Sequence, residues 1–167
     1  MNMQVLDRRG PGAPRVVWCE RSLGILEVER ICVVVWRESV SADRFRRQEV
    51  ALADMVHRYP RRAGMLCIVE AGTTPPDDRL RGASAEMING HGDRLHCLAC
   101  VIEGSGFRAA LTRSALSGIA LLLSRRETKF TATVSAAAGW LSSHGNLEST
   151  SMLVDACAAL RERMANV

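Results

Sequence analysis

The chain has 167 residues, 47% hydrophobic but only 4% aromatic, with a formal net charge of +4, so one domain with an aliphatic core is expected. Basic residues fall in short clusters (Arg8-Arg9, Arg44/Arg46/Arg47, Arg58/Arg61/Arg62, Arg125-Arg126) among acids, which reads as solvated helix ends rather than a nucleic-acid stripe. No apolar run reaches bilayer-spanning length, and the start MNMQVLDRRGPGAP lacks an apolar signal-peptide core, so a cytoplasmic protein without nucleic-acid or membrane partners is expected.

Residues 1–14, rich in Arg, Gly and Pro, predict a flexible arm. Arg15–Glu20, Leu23–Glu29 and Ile31–Arg37 then read as three strands, too close in sequence to be anything but antiparallel. Ser41 caps a helix with Phe45, Leu52, Met55, Val56 and Tyr59 on one face, ended by Pro60. Met65–Glu70 is the next buried strand. The loop Gly72–Pro76 leads to a helix capped by Asp77 or Asp78, carrying Leu80, Ser84, Met87 and Ile88.

Leu95–Ile102 is an uninterrupted apolar run, the signature of a strand covered on both faces with neighbours at both edges. Gly104-Ser105-Gly106 breaks it, and a long helix follows with Phe107, Leu111, Ala115, Ile119 and Leu122 on one face. A short strand Phe130–Val134, a helix capped by Ser135 and a final helix Leu147–Met164 complete the chain. The expected fold is α/β: one mixed sheet, an antiparallel hairpin first and parallel βα units after it, covered by helices. Residues 15–143 form the domain, and 144–167 append a C-terminal helix to it.

Cys97-x-x-Cys100 has a zinc or redox spacing, but inside a strand positions three apart face opposite sides of the sheet, so the two sulfurs cannot share a metal or a bridge. The other cysteines, Cys19, Cys32, Cys67 and Cys157, read with them as reduced thiols, mostly core hydrophobes. His57, His91, His96 and His144 stand in no ligand pattern, and neither a metal nor a cofactor is expected. Gly104-Ser105-Gly106 precedes a helix, where backbone N–H groups receive anions. The third glycine of a dinucleotide fingerprint is replaced by Ala109, and Ser105 lacks the flanking pattern of a nucleophile elbow. Gly118 inside the long helix, with Ser114 a turn away, costs about 1 kcal/mol against alanine and suggests a close packing contact.

The element order, together with FTATVSAAAGWL, in which Val134, Ser135, Trp140 and Leu141 follow a short strand, resembles the STAS superfamily, especially its SpoIIAA-like branch, over roughly Arg15–Ser143. The resemblance implies a non-enzymatic regulatory or scaffold module that binds partner proteins, as anti-sigma-factor antagonists do. Such antagonists carry an Asp-Ser phospho-switch after the strand that follows the first helix. The corresponding stretch here, Glu70–Asp77, has no serine, and its only hydroxyls are Thr73 and Thr74. A likeness between STAS and SEC14-type folds suggests lipid binding, for which 167 residues leave little room.

Three surfaces are therefore candidates. The loop with Thr73, Thr74 and Asp77 is expected to face a partner protein, since α/β sheets place functional loops at the C-terminal ends of strands. The alternative is a small ligand or anion at Gly104, Ser105 and Gly106. A homodimer face is expected at Ser114 and Gly118, or at Leu153 and Leu160 of the last helix, whose stripe with Ala156 and Met164 must be covered by its own sheet or by a second copy.

Overall fold

The computed structural model describes residues 12–123 and 127–167. Residues 1–11 of the expected arm and Arg125-Arg126 lie outside them, as do the side chains of Phe107 and Leu122. Residues 12–14 do not behave as an arm: the Gly12 carbonyl accepts from Glu29 N–H at 3.0 Å, and Pro14 is buried.

Among the described residues the architecture is α/β, with a single six-stranded mixed sheet in the order β1-β2-β3-β4-β5-β6 and five α-helices. Strands β1 (Arg15–Glu20), β2 (Leu23–Val28) and β3 (Ile31–Trp36) form an antiparallel meander. Two-residue turns join them, the second with Glu29 in the left-handed region at φ 52°. From β3 onward the chain alternates through α1 (Ala42–Arg58), β4 (Ala63–Val69), α2 (Asp78–Gly90), β5 (Leu95–Ile102), α3 (Gly106–Leu122) and β6 (Glu127–Thr131), with parallel pairing throughout. Leu95–Ile102 lies between β4 and β6, as its apolar run requires. Ser41 and Asp77 cap α1 and α2 by accepting from Arg44 N–H and Leu80 N–H.

Because each new strand is added at the same edge, right-handed crossovers put the connecting helices on one face. There α1 packs Leu52, Met55 and Val56 against Ile25, Cys32 and Val34. The other face is left to α4 (Val134–Ser143) and α5 (Thr150–Ala165), which pack Leu141, Leu153 and Leu160 on Val33, Ile68, Cys97 and Val101. Strands β2 to β5 are therefore buried on both faces, which explains their lack of alternation.

The end of the sheet differs from expectation. β6 stops at Thr131, Val134 belongs to the first turn of α4, and Thr133 rather than Ser135 is the cap, accepting from Ala136 N–H at 3.2 Å. Thr133 has extended backbone (φ −138°, ψ 150°), the geometry that lets a hydroxyl reach a free N–H of the first turn. Helix α5 starts later than expected, at Thr150, with Ser149 as its cap.

Candidate interaction surface at the C-terminal edge of the sheet

Parallel register brings Trp36, Val69 and Ile102 side by side, so the next residue of each strand, Arg37, Glu70 and Glu103, forms a row across the C-terminal edge. Two residues earlier stand Val35, Ile68 and Val101 on the α5 face, and period-two alternation directs the row to that same face. Arg161 of α5 meets it there. Its Nε donates to Glu70 Oε1 at 2.7 Å, and its two terminal nitrogens donate to Glu103 at 2.8 and 2.6 Å. Arg37 holds the other side of Glu70 through Nε at 2.6 Å and donates to the Arg161 carbonyl at 3.1 Å. Two cations and two anions, half-buried, are thus paired with one another. Burial raises the Glu70 pKa, but hydrogen bonds from Arg37 and Arg161 outweigh it and leave that carboxyl below its usual range. Burial likewise lowers Arg161, and Glu103 and Glu70 more than reverse this.

Two loops flank the network. In the first, Thr73 does not face a partner. It is 4% exposed, and its hydroxyl donates to the Trp36 carbonyl at 3.0 Å. The reason is strand-like pairing beyond the end of β3: Thr74 N–H donates to Glu38 O at 2.8 Å, and Ser39 bridges Thr74, pulling Thr73 inward. Thr74 and Asp77 remain exposed. In the second loop Gly104, Ser105 and Gly106 are all exposed. Gly104 (φ +90°) passes so close to the first loop that an added Cβ would lie 3.1 Å from Ala71 Cβ. Between the loops is a crevice of about 140 Å³ whose lining includes Glu70, Thr73, Glu103 and Ser105. The loop meant for an anion thus opens beside two carboxylates, and Arg161 is already committed to them.

The outer face of α3 is open. Ser114 is exposed, and an added Cβ at Gly118 would meet nothing within 4 Å, so no tight packing within the chain explains that glycine. Leu111 (47% exposed) and Leu121 (88% exposed) flank the pair at helical spacing. The other expected dimer face is overturned: Leu153 and Leu160 are both 0% exposed, packed on their own sheet. The sequence reading missed the signal for this at Gly24 of β2. A Cβ there would lie 2.6 Å from Met164 Sδ and 3.0 Å from Leu160 Cδ2, so the glycine leaves the room these two α5 side chains fill against the sheet.

The thiols are all free. Cys97 lies in the α4/α5 core and Cys100 in the opposite one, as alternation requires. Cross-strand register, which spacing along the sequence does not reveal, instead places Cys100 beside Cys67. A hydrogen bond with Cys67 and burial push the Cys100 thiol well up; burial, helped by the charge of Glu127, pushes Cys97 to about 12, and burial pushes Cys157 to about 12 against the charge of Arg161.

Ser143, His144 and Glu127 also come together at the end of α4. His144 Nδ1 is 3.1 Å from Ser143 Oγ, and its Nε2 pairs with Glu127. Yet Nδ1 is also 2.8 Å from the Trp140 carbonyl, which only accepts, so Nδ1 carries the hydrogen and cannot take one from serine. The Ser143 hydroxyl itself donates to that carbonyl at 2.7 Å. The group caps α4 and is not arranged as a nucleophile with its base. Among the described residues no cluster of three or more His, Cys, Asp or Glu is placed to hold a metal ion, and no helix is long and apolar enough to cross a membrane. No family model, curated protein or solved structure matches the chain.

Proposed function

We propose that this chain is a non-enzymatic regulatory or scaffold module, STAS-like in build, that binds a partner protein in a bacterial signalling pathway. Its docking surface is the outer face of α3 together with the exposed Thr74 and Gly104–Gly106 loops. The observation that carries the reading is the exposure of Leu111 and Leu121 around Ser114 and Gly118. The stripe of α5 is fully buried, whereas α3 keeps two leucines in water beside small residues that let another surface approach. The ionisable groups at the same edge support it, since Arg37, Glu70, Glu103 and Arg161 are spent on one another. Free cysteines suit a reducing cytoplasm.

The test is a pull-down from the native bacterium with the whole chain and with Leu121→Asp, each checked for melting temperature. Leu121 is nearly all in solvent, so the variant is expected to melt within about 0.5 kcal/mol of the parent. A partner recovered by the parent should be lost from the variant by tenfold or more. Equal recovery with both proteins would remove α3 from the interface.

A further inference from the structure

The helices on the α1 side do not cover the sheet equally. Helix α1 buries its whole inner stripe, whereas α2 buries only Ala85 and Ile88 and leaves Leu80, Ser84 and Met87 partly open. Under α2 and α3 there remains a chamber of about 70 Å³. Its floor is two cross-strand rows, Met65–Leu98–Thr128 and Cys67–Cys100–Phe130. Its roof includes Ile88, Leu116 and Ile119. Cys67 is the only residue of β4 that is not buried, although β4 is a central strand. Leu116 and Phe130 are also only partly buried, so the chamber communicates with solvent.

We propose that this chamber is a binding site for the end of an unbranched alkyl chain, an assignment that goes beyond the docking surface above. The walls choose the chemistry. Three polar groups in the lining are already satisfied within the chain: Thr73 donates to the Trp36 carbonyl, Ser84 to the Leu80 carbonyl, and Gln48 accepts from Trp36 Nε1. Thr74, Thr112 and Thr128 also line it, and the rest of the surface is aliphatic, aromatic or thiol, which gains contacts from an apolar occupant and nothing from a charged one. Size chooses the shape. The volume is about half that of a cavity known to hold a benzene ring, so a slim chain suits it better than a ring. The opening lets the rest of a longer molecule project.

The thiol on the floor supplies the assay. The full chain is titrated with 1-alkanols from butanol to octanol, and alkylation of Cys67 by N-ethylmaleimide is followed by peptide mass spectrometry. Cys19, half-buried and packed toward the opposite core, is the internal control. The apparent Kd should fall about fourfold per added methylene until the chamber is full, then level off. At ten times Kd, alkylation of Cys67 should slow about tenfold with Cys19 unchanged. Leu116→Trp, which fills the space, should abolish this protection while keeping the parent's circular dichroism, and Ile119→Phe replaces it where it does not fold. A Cys67 rate independent of alcohol chain length, or equal protection in a folded, filled variant, overturns the assignment. Neither result bears on partner recovery by Leu121→Asp, so the two readings fail separately.

Discussion

Replacing Leu160 by alanine tests whether α5 belongs to this chain's own core. Leu160 is 0% exposed and sits directly over Gly24 of β2, with Met164 beside it. Leucine-to-alanine changes in cores cost about 2–5 kcal/mol, and the cost depends on how far neighbours collapse into the space. Here the facing strand position has no side chain to move inward, so the cavity persists and the upper half of that range applies, about 4 kcal/mol. For a chain of this length each kcal/mol lowers the melting temperature by about 2–4 °C, which gives a drop of roughly 8–16 °C. Urea denaturation should show a lower midpoint with an unchanged slope. Leu153→Asp combined with Leu160→Asp should leave no folded protein, because two carboxylates would be buried without partners. The reasoning is refuted if Leu160→Ala melts with the parent, or if the double aspartate variant is a folded monomer by light scattering while the parent is a dimer.

Two further outcomes follow from the C-terminal edge. Thr73→Val should cost about 1 kcal/mol by removing the hydroxyl bond to the Trp36 carbonyl, and Thr73→Glu should cost more, since it buries a charge; a melting temperature unchanged by Thr73→Glu would return that residue to the surface. Glu70 has a lowered folded pKa, so the unfolded chain binds more protons in acid and stability rises with pH. Its contribution should be complete above the ordinary glutamate pKa of about 4.3 and be lost as pH falls through the lowered folded value. Glu70→Gln should therefore flatten the acid limb of a melting-temperature profile, and an unaltered profile would show that the network does not couple α5 to the sheet.

Much of the fold is written locally. The β-branched run Ile31–Trp36 and the apolar run Leu95–Ile102 have compositions that only strands buried on both faces satisfy, and both became interior strands. Ser41 and Asp77 marked helix starts because a cap's hydrogen bond closes within three residues. The same locality separated Cys97 from Cys100. The cap of α4 is Thr133 and not Ser135 because two hydroxyl residues two positions apart both offer a cap, and only the turn after β6 selects between them.

The candidate surfaces depended on distance in sequence. Arg37, Glu70, Glu103 and Arg161 lie far apart along the chain, and their meeting follows from register across three strands plus the docking of α5. Thr73 looked accessible because a polar, proline-rich loop normally is, but pairing with Glu38 and Ser39 turned it inward. The stripe of α5 required a cover, and the missing side chain of Gly24, on a strand remote in sequence, let its own sheet provide it. Periodicity says which side of a helix needs covering; what covers it is decided by the shape of the surface that arrives, and that shape exists only once the sheet has formed.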